Sequence, residues 1–165
     1  MRLPLYVLAV SGGALVQCTV VPVVGVGGIV PDVPVVLTVL LALRYGSEAG
    51  CLTGFALGLA QDAVAGGPLG LHALSKALLG FIAGDLPRWV LVTRPAIPIG
   101  IAILATVVDG LVRFGLLQLF HYPAPLTALL SEVILPQALY NGVLGAAGLV
   151  ALTTAEAVRA RFAWR

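Results

Sequence analysis

Long apolar runs, separated by short breaks that contain glycine, proline or charged residues, dominate the sequence. A helix that crosses the hydrocarbon core of a bilayer needs about 20 mostly apolar residues, within a range of about 17–25. Six runs reach or approach that length, and the second and third are the shortest. The pattern therefore predicts an all-α integral membrane protein, a bundle with six spans at Leu3–Val24, Ile29–Leu43, Ala49–Val64, Leu69–Leu86, Pro95–Phe120 and Leu126–Thr153.

The two short runs leave two interpretations open. Each is either an upright helix or irregular backbone that the rest of the protein shields from lipid. If the pair is re-entrant, five or four crossings remain. The first run continues without a small-residue cleavage site, so we expect an uncleaved membrane helix there and not a signal peptide.

Composition agrees with a membrane protein and argues against other classes. The chain of 165 residues is 60% hydrophobic and only 10% charged, whereas soluble domains carry about 25% charged residues. A single transmembrane domain is the expected organisation. The sequence contains no basic tract with interleaved aromatic residues, so nucleic-acid binding is not indicated. Cys18 and Cys51 lie in apolar sequence without a CxxC pair, so we expect neither a metal site nor a disulfide.

The basic residues predict the orientation of the chain. Two of the nine, Lys76 and Arg113, lie within spans. Cytoplasmic loops of membrane proteins are enriched in Lys and Arg. If the N-terminus is cytoplasmic, the other seven all fall on that side: Arg2, Arg44, Arg88, Arg94, Arg159, Arg161 and Arg165. We therefore expect both termini in the cytoplasm, with a short basic tail over residues 154–165.

Four glycines recur at every fourth position around the third predicted helix. Helical residues four apart drift by only about 40° around the axis, so these glycines form one gently spiralling stripe: Gly46, Gly50, Gly54 and Gly58. Without Cβ atoms, such a stripe lets another helix approach closely. Two interpretations are open, namely packing within this chain or a docking face for the helix of a partner.

Ionisable side chains lie inside the predicted spans, where an isolated charge costs roughly 2.5–3.5 kcal/mol. Asp109 and Arg113 are four residues apart, so we expect an ion pair on one helix face. Asp62 precedes a Gly-Gly-Pro turn, and we expect it to cap the next helix or to pair with a cation such as Lys76. A functional contact at Asp62 is the alternative.

Two more ionisable residues complete this set. His72 and Lys76 are four residues apart and share one face of the fourth predicted helix. Glu132, in the outer half of the sixth span, is expected to be a third buried acid and a partner for Lys76 or Arg113. The simplest interpretation is that these charges neutralise one another in the interior of the bundle.

Patterns typical of intramembrane enzymes and transporters do not occur in the sequence. Gly84-Asp85 lacks the GxGD pattern of aspartyl proteases. Ser75 and Lys76 are adjacent, so their side chains diverge by about 100° on a helix. The two halves show no clear internal repeat of the kind found in secondary transporters. We predict no enzymatic activity, no catalytic or metal-binding residues and no cofactor.

The order of several short motifs resembles a known family. Pro31-Asp32 is followed by ALRYG (42–46), GFALGLAQD (54–62), GGPLGLHAL (66–74) and Gly80. This arrangement resembles the rod shape-determining protein MreD family, most strongly over about residues 29–80. The resemblance implies a bacterial cytoplasmic-membrane protein of the machinery that builds the peptidoglycan side wall. It also implies association with MreC and, through MreC, with MreB, RodA and a class B penicillin-binding protein, without catalytic activity. Self-association stays open.

The same resemblance implies a fold and an alternative function. The family's fold resembles the substrate-binding subunits of energy-coupling-factor vitamin transporters, so a small-molecule binding subunit is the alternative to a scaffold. For the scaffold, we expect partner contacts around Asp32, Asp62 and His72, together with the glycine stripe. We expect the remaining intramembrane charges to lock the interior: Lys76, Asp109, Arg113 and Glu132.

Overall fold

The computed structural model describes residues 3–23, 25, 28–86, 96–122 and 125–162. The described chain folds into six main helices, α1 (Leu3–Thr19), α2 (Val33–Tyr45), α3 (Ser47–Ala65), α4 (Leu71–Gly84), α5 (Ala96–Leu119) and α6 (Leu135–Phe162). A helical turn (Leu126–Ala128) and a π-helical segment (Leu129–Ile134) lead directly into α6, and a short 3-10 helix (Val21–Val23) follows α1. The prediction of an all-helical protein with six helices is confirmed. Four of the arginines used to predict the orientation lie outside the described residues: Arg2, Arg88, Arg94 and Arg165.

The helices differ in their ability to span a bilayer. In the described part of the chain, one segment, Ile99–Leu119 of α5, combines the length and the hydropathy of a membrane crossing. Tyr6–Thr19, α2 and α4 are apolar but shorter. With 13 and 14 residues, α2 and α4 extend only about 20 Å at about 1.5 Å per residue. The hydrocarbon core is about 30 Å thick, so six complete crossings stay a prediction.

The central helix of the bundle is α2, which packs against each of the other five helices. Its core contacts are formed by aliphatic side chains: Val35, Val39, Ala42 and Leu43 of α2 meet Leu79, Ala83 and Ala105. The outside of the bundle is also apolar, with Leu52, Leu104, Leu139 and Val143 more than 60% exposed. Because Lys76 and Asp109 are fully buried, charge lies inside and hydrocarbon side chains lie outside. This arrangement is typical of a protein surrounded by lipid.

Helices α3 and α4 form an antiparallel hairpin whose backbones touch. A Cβ atom at Gly50, Gly54 or Gly58 would overlap the main chain of Gly80, Lys76 or His72, respectively. These three glycines of the predicted stripe therefore face α4 of the same chain.

The first glycine of the predicted stripe, Gly46, differs from the other three. It lies between α2 and α3 as the C-cap of α2, with a φ of 95° that favours glycine, and a Cβ there would meet open space. Helical periodicity does not extend to Gly46 because α3 starts only at Ser47.

Candidate functional site

The backbone that leads into α2 is non-helical and becomes partly to fully buried over residues 29–31, so its main chain needs polar partners. Gln17 of α1 donates to the carbonyl of Pro31 (3.3 Å) and accepts from the amide of Val33 (3.0 Å). Gln137 of α6 donates to the carbonyl of Val30 (2.8 Å). Irregular backbone at membrane depth is tolerated where protein groups satisfy it. These two amide side chains therefore permit α2 to begin below the surface of the bundle.

Asp32 is the N-cap of α2 and is 2% exposed. Its Oδ1 accepts from the amide of Val35 (3.1 Å), which is the ordinary role of an N-cap carboxylate, and from Gln61 of α3 (3.4 Å). The main-chain amide of Asp32 donates to Asn141 Oδ1 of α6 (2.8 Å). Asn141 in turn donates to Thr106 of α5 (2.9 Å). Four helices, α2, α3, α5 and α6, are thus connected around the N-cap of α2.

A row of alternating charges extends from Asp32 into the core. Lys76 of α4, fully buried, places Nζ 3.0 Å from Asp32 Oδ2 and 3.5 Å from Asp109 Oδ2 of α5. Arg113, one helical turn beyond Asp109, places Nε 3.1 Å from the same Oδ2 atom. Two carboxylates and two cations balance, so the row carries no net charge.

The contacts of Asp109 depend on charge more than on directed hydrogen bonds. At 3.1 and 3.5 Å its Oδ2 is within ion-pair range of Arg113 and Lys76. Neither carboxylate oxygen of Asp109 nor Nζ of Lys76 makes a well-aligned hydrogen bond within the described residues. A buried ion pair stabilises little unless its geometry is excellent, but removal of one partner is costly because the other charge stays buried. The row therefore selects one arrangement of α2, α4 and α5.

Asp62, near the end of α3, caps the start of α4. The N-cap residue of α4 is Gly70, which has no side chain to serve as a cap. Asp62 instead accepts from the amides of Gly70 (2.9 Å), His72 (3.0 Å) and Ala73 (3.1 Å). Asp62 Oδ1 also lies 2.8 Å from His72 Nδ1. Of the two alternatives given by the sequence, the structure has the helix cap and not the pair with Lys76.

His72 joins this cap to the row of charges. Arg113 Nη1 lies 3.2 Å from His72 Nε2, and Arg113 Nη2 donates to Gln137 Oε1 (3.4 Å). A guanidinium can only donate, so Nε2 accepts, and Nδ1 carries the proton that is donated to Asp62. His72 is neutral in this arrangement. We call the connected set the buried polar network: Gln17, Asp32, Gln61, Asp62, His72, Lys76, Thr106, Asp109, Arg113, Gln137 and Asn141.

The structure shows the packing of one predicted residue and corrects the placement of another. Asp32 is expected to contact a partner or to pack, and its side chain is buried against Lys76; a contact with a partner stays a prediction. The apolar run before α2 hides the fact that this helix begins inside the bundle. Glu132 is expected to be a buried acid, but it is exposed, in the π-helical segment before α6. Its predicted partners Lys76 and Arg113 contact Asp32 and Asp109 instead.

The amide side chains were not among the predicted site residues, although they connect α1, α3 and α6 to the network. Each of the four interrupts an apolar run and bonds to partly or fully buried backbone or to a buried acid: Gln17, Gln61, Gln137 and Asn141. A buried amide must be hydrogen-bonded, so its presence in a span is itself a signal of an interior polar contact. That signal marks the residue but does not identify its partner.

The contacts of the network connect helices and helix ends. Each carboxylate already contacts a cation or caps a helix. Within the described ranges, no three His, Cys, Asp or Glu residues are placed to hold a metal ion.

Comparison with known proteins identifies the family. The family model described as rod shape-determining protein MreD matches residues 2–152. Comparisons with curated proteins and with solved structures give no significant match. The fold likeness to energy-coupling-factor subunits, and the small-molecule binding function drawn from it, therefore gain no support. Since the match covers nearly the whole chain, this protein belongs to the rod shape-determining protein MreD family.

Proposed function

We propose that this MreD-family protein is a non-enzymatic, multi-pass scaffold of the cytoplasmic membrane that binds the transmembrane helix of MreC. Membership of the family gives a role in determining rod shape and a place in the membrane. The scaffold would connect MreC, and through it MreB, RodA and a class B penicillin-binding protein, to one position in the bilayer. Both termini would lie in the cytoplasm.

The observation that carries the proposal is the mutual neutralisation of the buried charges. Lys76 and Arg113 balance Asp32 and Asp109 within 3.5 Å. Ionisable groups in transporters and enzymes of the membrane usually face a cavity, a substrate or a proton path. Here they contact one another and the ends of helices. Such a network is suited to fix the relative positions of helices, which is the requirement of a scaffold.

The same contacts narrow the surface that a partner could use. Gly50, Gly54 and Gly58 are covered by α4, and Asp32 is enclosed by the bundle. The exposed apolar side chains of the outer helices stay available for lipid or for a partner helix. His72 is partly exposed, with 19% of its side chain accessible. From the sequence, contacts are expected at Asp32, Asp62, His72 and the glycine stripe. Because Asp32 and three glycines of the stripe are covered within the chain, we propose the outer faces of the helices as the docking surface.

Co-purification tests the proposal. The tagged chain is co-expressed with MreC of the same bacterium, extracted in a mild detergent and recovered by its tag. We expect MreC in the eluate, and much less when its transmembrane helix is replaced by an unrelated apolar helix of equal length. A tagged, unrelated multi-pass protein measures non-specific capture. Equal recovery of both forms of MreC, or recovery no higher than this control, would contradict the proposal.

A further inference from the structure

Glu132 is a carboxylate that faces outward from an apolar region of the bundle. Its neighbours Val133 and Leu135 are 40% and 54% exposed. No described residue forms an ion pair or a hydrogen bond with the Glu132 side chain; Lys76 and Arg113 are engaged with Asp32 and Asp109. Glu132 therefore differs from the acids of the buried polar network, whose carboxylates all have partners within the chain.

The depth of Glu132 follows from the packing of α5 against the segment before α6. Ile134 packs against Gly110 of α5, and Gly110 lies nine residues before Leu119, where α5 ends. At about 1.5 Å per residue this is about 14 Å, so Glu132, two residues nearer the same end, lies about 10 Å below it. Half of the hydrocarbon core is about 15 Å thick. With α5 crossing the membrane, Glu132 faces the hydrocarbon region.

The backbone at Glu132 is also unusual. Residues Leu129–Ile134 are π-helical, and the amide of Leu135 donates to the carbonyl of Leu130, five residues earlier. Pro136 follows, and the ring of a proline disfavours the normal helical contact with the carbonyl four residues before it, which here is that of Glu132. Single π-helical turns occur frequently at functional sites. The unusual backbone and the unpaired carboxylate therefore coincide at one exposed position.

An apolar row continues from Glu132 along α6. Leu135, Leu139, Val143 and Val150 recur at helical spacing and are 54%, 68%, 71% and 60% exposed. The opposite side of the helix, which includes Ala138 and Asn141, is buried against the bundle. We call this surface, formed by Glu132 and the four apolar residues, the α6 outer face. It carries a single charge, at one end.

We propose that the α6 outer face is the docking surface for the transmembrane helix of the partner, and that Glu132 binds a Lys or Arg side chain which that helix carries at the same depth. This inference rests on the proposed function, which supplies a single-helix partner. Charge complementarity selects the occupant, because a carboxylate exposed to hydrocarbon is stabilised most by a cation or a strong donor. A second copy of this chain fits poorly, since a two-fold contact through the same face would bring two Glu132 carboxylates together.

Site-specific cross-linking combined with substitution of Glu132 tests the inference. A photo-crosslinking amino acid is placed at Leu139 or Val143, and for comparison at Leu52 on the outside of α3. Full-length MreC is co-expressed in each case. We expect cross-links to the MreC transmembrane helix from positions 139 and 143 and not from position 52. Cross-linking only to lipid or to a second copy of this chain would overturn the inference.

The Glu132→Gln variant tests the charge with little change of shape. Interhelical polar contacts in membranes contribute enough to change affinity by about five- to tenfold, so we expect MreC recovery to fall by that factor. Glu132→Lys should reduce the recovery of MreC further. A MreC variant in which the basic residue that faces position 132 is replaced by Glu should restore recovery with Glu132→Lys. The matched control is Glu48→Gln, which removes an exposed acid from the first turn of α3 and should leave recovery unchanged.

The outcomes separate this inference from the proposed function. If wild-type protein recovers MreC while Glu132→Gln does so equally well, the docking surface is wrong and the scaffold function stands. If the wild-type protein fails to recover MreC, the proposed function fails and the α6 outer face loses its occupant. If Glu132→Gln lowers the melting temperature or the amount of the isolated protein, Glu132 is structural and the inference is overturned.

Discussion

Replacement of Lys76 by methionine probes the buried polar network most directly. Lys76 is fully buried and contacts two carboxylates, at 3.0 Å from Asp32 and 3.5 Å from Asp109. At an effective dielectric constant of about 20, each contact is worth on the order of 5 kcal/mol of Coulomb energy. Part of this loss is offset, because folding of the variant no longer requires a lysine ammonium group to leave water. Removing one partner of a buried ion pair costs about 3–5 kcal/mol in practice.

A second substitution separates the loss of charge balance from the loss of the lysine itself. In Lys76→Met, two buried carboxylates share only Arg113. In the double variant Lys76→Met/Asp32→Asn, the remaining Asp109–Arg113 pair is neutral, and asparagine can still accept from the amide of Val35 as a helix cap. We expect the double variant to recover about 1–3 kcal/mol through coupling between the two sites.

Thermal unfolding in one detergent, together with the amount of protein in membranes, measures both effects. The total stability of a domain is about 5–15 kcal/mol, so Lys76→Met should lower both readouts strongly. Leu74→Met, on the exposed side of the same helix, is the matched control and should behave like the wild type. Wild-type stability of Lys76→Met, or a double variant less stable than the single one, would refute the reasoning.

Three further substitutions test neighbouring features by the same unfolding assay. Gly54→Ala places a Cβ against the main chain of Lys76 and should destabilise the protein by about 1–3 kcal/mol. In the control Gly115→Ala, the added Cβ meets open space and should not destabilise the protein. Equal effects of the two substitutions would contradict close α3–α4 packing. Asp62→Asn removes an acceptor from the start of α4 and should cost about 1–3 kcal/mol, visible also as faster amide exchange in the first turn of α4; unchanged exchange there would exclude the cap. Gln137→Leu removes the donor to the partly buried carbonyl of residue 30 and should cost up to a similar amount, so a neutral or stabilising effect would contradict this role of α6.

Contacts within one helix could be predicted from the sequence because helix geometry determines them, and contacts between consecutive helices could be narrowed to a few alternatives. The spacing of Asp109 and Arg113 places both on one face of α5, whatever the other helices do. The turn after Asp62 is short, so its carboxylate has few donors within reach except the start of the next helix. For Gly50, Gly54 and Gly58 the spacing predicts one shared face and leaves packing within the chain as one of two open interpretations, and only the structure shows the contact with α4.

Contacts that depend on the assembly of distant helices could not be predicted. Asp32 and Lys76 belong to different helices, and their contact depends on where α2 begins inside the bundle. That beginning depends on Gln17 and Gln137, which are far away in the sequence. The exposure of Glu132 depends on the π-helical segment, which rotates the following helix in a way that a regular periodicity does not reproduce.

The central claim is that the buried charges position helices and perform no chemistry. It is tested most directly by the cell shape of a strain that lacks its own copy and expresses Lys76→Met/Asp32→Asn, with the amount of protein adjusted to the wild-type level. We predict rod-shaped cells, because a folded bundle with a neutral core keeps its outer surface. Round cells containing a normal amount of the stably folded variant would contradict the claim, since the charges themselves would then be required.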